Sequence, residues 1–425
     1  MIDPIGRRAA LRGTLGAAAL GGAALAAASL AAAAPARAAR PITIGLSLSL
    51  TGPLAVAGRA ILVSAKIFEA DFNFQGGVHG TPIRFVYYDD QSNAANIPEI
   101  YTKLLEIDHV DLLMCNATNL TAASMPVVIQ HRRVMVAMFS LAVNDKFHYP
   151  RYFQTMPFGP DGRLAISEGF FAAAASLVPK AKTIAFAGAD ADFAKTAVSG
   201  AREHAGTLGL KTVYDRSYPP TTVDYDPIVR VIAAAHPDIV YIGSYPFDTV
   251  GILRSVRSVG LRARLFGGGM VGTQIGSLKA TLGPALNGVL SFELYVPAVA
   301  KFFPDVEPFL VRYRPLAVKA GVDPLGFYMP PFAYASFQVL TEAVRAVGLD
   351  QAKLAAHLHA VPFRTMVGEI RFGADGEWAK GRMLQAQFRG VAGHDAKQFL
   401  NPAREVVVAP AAYATGALAT PFGQS

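Results

Sequence analysis

The sequence predicts an α/β fold with two similar lobes and mostly parallel sheets. Short runs rich in β-branched and aromatic residues alternate with longer helix-like runs almost throughout the chain after residue 40, which is typical of linked strand–helix units. This alternation starts at 41–46 and starts again at 183–187. The 387 residues after position 38 also exceed one ordinary core and suit two lobes.

The first series opens with a strand at 41–46 and a helix at 54–74, which Gly76 and Gly77 end. A segment at 151–157 fits a crossover to the next lobe. Between these points we predict further strands at 83–88, 110–114 and 134–139 and helical segments at 97–107 and 127–132.

The second series repeats the pattern, with a second crossover near 289–292 and a long helix at 328–346. The segments 368–372 and 383–388 are predicted to pair as a terminal hairpin. Ligands of open α/β sheets bind beyond the carboxyl ends of the strands, so the cleft between the lobes is the expected site. The strands of this series are expected at 183–187, 211–214, 238–242 and 264–267, and the helices at 193–208, 225–235 and 248–259.

The N-terminal segment has the pattern of a secretory signal peptide. Arg7 and Arg8 precede a stretch at 15–34 that is almost entirely Ala, Gly and Leu, and a small-x-small cleavage site follows at 36–38. The paired arginines indicate the twin-arginine route. A membrane anchor is the alternative, since the apolar stretch is long enough to span a bilayer, but its composition and the cleavage site favour removal of residues 1–38.

Cleavage near Ala38-Ala39 would release the mature chain into an exported compartment, most simply a bacterial periplasm. The single cysteine, Cys115, excludes an intramolecular disulfide and a multi-cysteine metal site, and we expect no cofactor. The net charge of +8 falls to +5 after cleavage, and the basic residues are scattered. This pattern speaks against nucleic-acid binding and supports only a mild attraction for anionic solutes.

Several short motifs follow one another along the mature chain. Leu-Thr-Gly-Pro at 50–53 follows the first strand, and an Asn-x-x-Gly-Gly-x-x-Gly pattern lies at 73–80. Tyr-Asp-Asp at 88–90, Ser-Val-Gly-Leu at 258–261 and a turn at 372–376 come next. In this order and spacing, the chain resembles the leucine/isoleucine/valine-binding family of periplasmic solute receptors over nearly its whole mature length.

The resemblance implies two Rossmann-like lobes joined by three crossing segments that close on a ligand by hinge motion. It assigns lobe 1 to 41–153 and 291–365, lobe 2 to 159–288 and 368–412, and a C-terminal tail to 413–425. It also implies the soluble receptor of an ABC importer rather than an enzyme. The expected partners are a small-molecule ligand and permease subunits in the inner membrane, and we expect a monomer.

Three candidates for holding an anionic ligand group follow strands of lobe 1. Thr51 lies at the start of the first helix, where free N–H groups favour an anion; alternatively, it caps that helix and Pro53 opens it. Asn119 and Thr121 follow the third strand, where family members usually have a hydroxyl-rich turn that holds the ligand carboxylate. Their alternative role is that of ordinary turn and cap residues.

The resemblance also assigns the turn after the fourth strand, which contains Phe139, Ser140 and Ala142. In amino-acid-binding relatives this turn supplies a backbone carbonyl and a threonine hydroxyl to the ligand ammonium. Ser140 falls at the backbone position and Ala142 at the threonine position. The hydroxyl is therefore absent from this chain.

In the second half, the resemblance assigns Phe193, Tyr245, Gly269 and Tyr328. Phe193 and Tyr245 fall where relatives have tyrosines, although both could instead belong to the lobe core, and Tyr328 lies where the long helix approaches the cleft. Amino-acid-binding relatives place an acid near Gly269 to pair with the ligand ammonium. No acid occurs in this chain from 262 to 292.

Two partners for an ammonium group are therefore missing, while the turns suited to an anion remain. A buried ammonium without partners costs several kcal/mol. We therefore expect a ligand with a carboxylate or another polar head and no α-ammonium. An apolar or aromatic body would suit Phe139, Phe193 and Tyr245.

Two other functions remain open, namely a branched-chain amino-acid binding protein and a sensor or regulator of the same fold for amides or amino acids. A membrane-receptor version would need a spanning stretch, and none follows the signal. An enzyme is disfavoured because the chain lacks a Gly-x-Ser-x-Gly elbow, a P-loop and a His-Glu-x-x-His motif. His357 and His359 project differently from a helix, so we expect no metal site.

Overall fold

The computed structural model describes residues 40–422, so the predicted signal peptide at 1–38 lies outside the described residues. Two β-sheets, one of five strands and one of seven, form the centres of two lobes. The predicted two-lobe α/β fold with mostly parallel sheets is confirmed. None of the helices within 40–422 is long and apolar enough to cross a membrane.

The described chain contains strands β1–β14 and helices α1–α12. The first passage through lobe 1 contains β1 (Ile42–Leu48), α1 (Ala55–Phe74), β2 (Ile83–Asp89), α2 (Ile97–Glu106), β3 (Leu112–Asn116), α3 (Thr118–Gln130), β4 (Met135–Met138), α4 (Asn144–Phe147) and β5 (Tyr152–Gln154). The first passage through lobe 2 contains α5 (Gly162–Ala175), β6 (Thr183–Ala189), α6 (Asp192–Thr207), β7 (Lys211–Tyr218), α7 (Asp226–Ala234), β8 (Ile239–Ser244), α8 (Pro246–Val259), β9 (Leu265–Met270), α9 (Gly276–Leu282) and β10 (Leu290–Glu293). The remaining elements are α10 (Val306–Ala320), α11 (Pro330–Val347), α12 (Gln351–Ala360), β11 (Phe363–Thr365), β12 (Gly368–Ile370), β13 (Leu384–Phe388) and β14 (Glu405–Ala409).

Lobe 1 is built on a parallel sheet with the strand order β2-β1-β3-β4-β5. β1 is buried along its whole length, as expected for a central strand of a sheet that is covered on both faces. On one face α1 packs against α11, where the Phe68 ring lies 4.9 Å from Tyr334 and 5.4 Å from Phe337. Helices α2 and α3 contribute to a second apolar core on the other face.

Lobe 2 is built on the strand order β14-β13-β10-β9-β8-β6-β7. The neighbours from β10 to β7 are parallel, and β13 runs antiparallel to both β10 and β14. Gly267 in β9 lets the backbones approach closely, because a Cβ there would lie 1.9 Å from the carbonyl oxygen of Leu290. The glycine run of β9 is therefore a packing feature rather than a dinucleotide fingerprint.

The chain crosses between the lobes three times. It leaves β5 for α5 through 155–161, returns from β10 to α10 through 294–305, and leaves β12 for β13 through 371–383. The first and third crossings are joined by backbone hydrogen bonds. The N–H of Gln154 donates to the carbonyl of Gly376, and the N–H of Arg382 donates to the carbonyl of Pro157, both at 2.8 Å.

Three predictions differ from the structure. The segments at 151–157 and near 289–292, predicted as crossovers, contain β5 and β10, which are strands of the two sheets, and the crossings themselves lie at 155–161 and 294–305. The predicted terminal hairpin is wrong, because β12 pairs with β11 while β13 pairs with β10 and β14. The helical segment predicted at 127–132 is the last part of α3, which begins at Thr118 and contains Pro126. Proline lacks an N–H and usually ends or kinks a helix. A helix that starts before Pro126 is therefore not expected from the sequence.

Candidate functional site

A cavity lies between the two lobes, at the carboxyl ends of their strands. It follows β1, β3 and β4 on lobe 1 and β6, β8 and β9 on lobe 2, which is where ligands bind in open α/β sheets. Its empty space, the part open to solvent included, is about 530 Å³. The cavity is lined by Pro53, Leu54, Val56, Ala57, Asn116, Ala117, Thr118, Asn119, Phe139, Phe193, Tyr245, Pro246, Val271, Ile275, Tyr328 and Met329.

The N-terminus of α3 forms one end of the cavity. Ala117 precedes the helix with φ 71° and ψ 142°, a conformation that is costly for a residue with a side chain and that occurs mainly at functional sites. No side chain caps α3, so the N–H groups of its first turn, beginning at Thr118, have no acceptor from the described chain. Free N–H groups at the positive end of a helix dipole favour an anion.

Three neutral polar side chains stand beside this helix end. Asn116 and Asn119 both line the cavity, and Oδ1 of Asn116 is buried without a hydrogen-bond partner in the described chain. Oγ1 of Thr118 accepts a hydrogen bond from the N–H of Leu141 at 3.1 Å, which leaves its own hydrogen free to donate. This end of the cavity therefore offers both donors and acceptors and carries no formal charge.

Aromatic rings form the middle of the cavity and bring the lobes together. Phe139 of lobe 1 lies 5.6 Å from Phe193 of lobe 2 and 5.3 Å from Tyr328, measured between ring centroids. Phe193 also contacts Tyr245 at 5.9 Å, and its N–H donates to the Tyr245 hydroxyl at 3.3 Å. These rings provide a wall suited to an apolar or planar ligand body.

None of the residues that line the cavity is Asp, Glu, Lys, Arg or His. Asp248, three residues after Tyr245, is buried outside the lining, where its Oδ2 accepts a hydrogen bond from the Tyr218 hydroxyl at 2.7 Å. Burial raises the pKa of Asp248 to about 6. Within the part of the chain that the structure describes, no group of three or more His, Cys, Asp or Glu could hold a metal ion.

Five of the ten candidate residues from the sequence line the cavity, and their contact with a ligand stays a prediction. Each follows the carboxyl end of a strand or opens a helix near the cleft. They are Asn119, Phe139, Phe193, Tyr245 and Tyr328.

Thr51 lies outside the lining and is exposed. Its N–H and its hydroxyl both donate to the Asp89 carboxylate, at 3.2 and 2.7 Å. Burial of Asp89 acts to raise its pKa, but the hydrogen bonds from Thr51, Gln91 and Leu50 outweigh it and leave the pKa lowered. An anionic side chain of the protein itself therefore occupies this turn. The helix α1 begins at Ala55 without a side-chain cap, so Thr51 does not cap it and Pro53 does not open it.

The other four candidates are also outside the lining. Thr121 and Ser140 are buried and bond to each other, with 2.6 Å between their hydroxyl oxygens. Ala142 lies beyond them in the same turn, with its backbone N 3.2 Å from the position that a Cβ of Gly162 would take. Gly269 is still inside β9, and a Cβ there would lie 3.2 Å from Cβ of Ala197 and from Cγ2 of Ile166 rather than in the cleft.

Asn116, Thr118 and Val271 line the cavity but were not among the residues predicted from the sequence. Asn116 is the last residue of β3, and Thr118 is the first of α3. Val271 is the first residue after β9 and lines the cavity where Gly269 does not. The signal available in the sequence was the strand end itself, since a side chain just beyond a parallel strand faces the cleft.

Comparison with known proteins agrees with this architecture. The family model described as periplasmic binding protein matches residues 41–394. A leucine-, isoleucine-, valine-, threonine- and alanine-binding protein of Pseudomonas aeruginosa is 24% identical over 343 residues, which cover 80% of this chain and 88% of the relative.

Solved structures share the fold at low identity. A leucine-binding protein from Thermotoga maritima superposes with a TM-score of 0.70 at 19% identity, covering 82% of this chain and 96% of its own. A solute-binding protein of an ABC transporter from R. palustris, in complex with benzoate, gives 0.69 at 19% identity, covering 87% and 95%. The fold and the interlobe cavity define a two-lobe binding protein of type I. The chain belongs to the periplasmic binding protein family, and the resemblance to its leucine/isoleucine/valine-binding members is confirmed.

Proposed function

We propose that this protein is an extracytoplasmic solute receptor of an ABC importer that binds a small organic acid without an α-ammonium group. The acid has an apolar or aromatic body. The observation that carries the proposal is the lining of the cavity, which combines a helix N-terminus, neutral polar groups and aromatic rings with no charged side chain. The protein binds its ligand without changing it.

The carboxylate of such an acid has a favourable place at the start of α3. The N–H groups there are free, and the hydroxyl of Thr118 has a hydrogen to donate. An ammonium group has no matching place, because no lining residue is an acid. Burial of an unpaired ammonium would cost several kcal/mol.

Two kinds of relative support different parts of the proposal. The Pseudomonas relative is an amino-acid binder by its name, and the R. palustris structure contains benzoate, an aromatic acid. Phe139, Phe193 and Tyr328 favour the second kind of ligand body without excluding a branched aliphatic one. Export by the segment at 1–38, residence in the periplasm and delivery to inner-membrane permease subunits as a monomer complete the proposal.

Calorimetry with leucine and 4-methylpentanoate tests the ligand class. The two compounds share an isobutyl body and a carboxylate and differ in the α-ammonium. We expect the simple acid to bind at least tenfold tighter, a difference of about 1.4 kcal/mol. Tight binding of leucine with no response to the simple acid would return the protein to the branched-chain amino-acid class.

The variant Val271→Glu should reverse this preference. Val271 lines the cavity at the end of β9, so a carboxylate there would pair with a ligand ammonium and repel a ligand carboxylate. We expect leucine to gain at least tenfold over 4-methylpentanoate relative to the wild type, again by calorimetry. Val271→Gln, which has the same length without the charge, is the matched control and should not produce this shift.

A further inference from the structure

Asn116 is a buried amide that the protein itself leaves without a partner. It is the last residue of β3, it is only 6% exposed, and it lines the interlobe cavity. Its Oδ1 receives no hydrogen bond from the described chain. Buried polar groups nearly always have a partner, and an unpaired one lowers stability. A partner from outside the chain would explain why an amide is present here.

The neighbouring side chains do not supply this partner. No hydrogen bond joins Thr118 or Cys115 to this oxygen. Oγ1 of Thr118 contacts the N–H of Leu141, and Sγ of Cys115 lies 3.9 Å from the Ser47 hydroxyl. Asn119 lies one turn away at the start of α3 and also faces the cavity. A donor group on a molecule in the cavity would supply the missing partner.

The position of Asn116 relative to α3 indicates where on the ligand that donor lies. Only Ala117 separates Asn116 from the first helical residue, and the free N–H groups of that turn are the place for the ligand carboxylate. A group that reaches Asn116 is thus attached close to the carboxylate. A hydroxyl suits this position, because one neutral amide oxygen satisfies a hydroxyl but leaves most of an ammonium unpaired.

We propose that the natural ligand is a 2-hydroxy carboxylic acid and that Asn116 selects for its hydroxyl group. This inference rests on the proposed function, which supplies the carboxylate at α3. A carboxamide has one acceptor and one double donor, so it can accept from the hydroxyl with its oxygen and donate to the carboxylate with its nitrogen. A site built to bond a ligand hydroxyl discriminates strongly against the analogue that lacks it.

The test uses 2-hydroxy-4-methylpentanoate, 4-methylpentanoate and leucine, each titrated calorimetrically into the mature protein, with both enantiomers of the hydroxy acid. These compounds share the same carbon skeleton and differ only at the second carbon. We expect one enantiomer of the hydroxy acid to bind at least tenfold tighter than the simple acid, and both acids to bind tighter than leucine.

The variant Asn116→Leu should abolish the tenfold preference for the hydroxy acid while retaining binding of 4-methylpentanoate. Because Asn116 bonds to no other side chain, we expect Asn116→Leu to fold. Its thermal unfolding temperature should equal or exceed that of the wild type. Asn119→Leu is the matched control on the same helix end. It should leave the ratio between the two acids unchanged.

The outcomes separate the two proposals. Equal binding of both acids to the wild type, or a preference that survives in Asn116→Leu, overturns the role of Asn116 alone. Binding of leucine in preference to both acids, or of none of the three while an unrelated compound binds, overturns the proposed function. If Asn116→Leu fails to fold, the wild-type titrations still show whether the hydroxy acid binds more tightly than 4-methylpentanoate.

Discussion

Among single residues, the buried acid next to the cavity wall gives the protein a pH-dependent stability. Asp248 is 9% exposed, and burial raises its pKa to about 6 from an ordinary value of 3.8. The folded state therefore holds this proton more tightly than the unfolded state. The protonated Asp248 carboxyl stabilises the folded state fully below about pH 4, and this contribution is lost as the pH rises through 6. The free energy of unfolding falls by at most about 3 kcal/mol over this range.

The variant Asp248→Asn should remove this loss, because the amide keeps an acceptor for the Tyr218 hydroxyl and carries no charge to bury. Relative to the wild type, its free energy of unfolding should rise between pH 4 and pH 7 by up to about 3 kcal/mol. Urea unfolding at pH 4, 5.5 and 7 measures this. Parallel stability curves for the two proteins would contradict the account.

The sequence located the aromatic residues of the cavity better than the polar ones. Phe139 and Tyr245, which the family resemblance assigned, each follow the last residue of a strand. Gly269, assigned in the same way, lies outside the lining, because β9 continues to Met270 and position 269 is covered by α5 and α6. Strand ends are the least certain part of a pattern, and each lining residue depends on them.

Among the elements, the start of α3 decides which side chains line the cavity. Asn119 faces the cavity, whereas Thr121 turns toward Ser140 under the sheet edge. The family resemblance assigned these two residues to one turn after the third strand. Once the helix begins at Thr118, the 3.6-residue period separates the two side chains by about 200°.

A hydrogen bond between the loop after α10 and the start of α9 joins the two lobes beside the cavity. Asp323 follows α10 of lobe 1, and its Oδ2 accepts a hydrogen bond at 3.0 Å from the N–H of Gly276, the first residue of α9 in lobe 2. Its Oδ1 accepts from the N–H of Leu325 at 3.0 Å. Gly276 permits this approach, since a Cβ would lie 2.3 Å from Oδ1 of Asp323. The bond therefore stabilises the arrangement of the lobes in this structure.

The variant Asp323→Ala should weaken ligand binding, because closure then lacks this hydrogen bond. A bond to a charged group contributes about 1.5–3 kcal/mol, so we expect the dissociation constant to rise at least tenfold, with a more extended free protein in small-angle scattering. Asp350→Ala is the control, since Asp350 caps α12 away from the cleft. It should lower stability without changing affinity, and unchanged affinity in Asp323→Ala would refute the interlobe role.

For the whole molecule, the sequence predicted the lobes and their sheets because each strand–helix unit has a local pattern. The end of the chain was harder to predict. The segment 368–372 pairs with the short strand β11, and β13 joins the sheet of lobe 2 more than 90 residues after β10 in the chain. Pairing between strands far apart in the chain leaves no local signal in the sequence. A hairpin between neighbouring segments does leave one, so the sequence pattern favoured the hairpin.

We propose above that the cavity between the lobes holds an organic acid without an amino group. Native mass spectrometry of the protein purified from its own host measures this directly, because it retains a bound ligand. The exact mass of the released compound gives its elemental composition, and its fragment ions locate the hydroxyl. We predict an unmodified carboxylic acid that contains no amino nitrogen and carries a hydroxyl next to its carboxylate. A bound α-amino acid would contradict the claim.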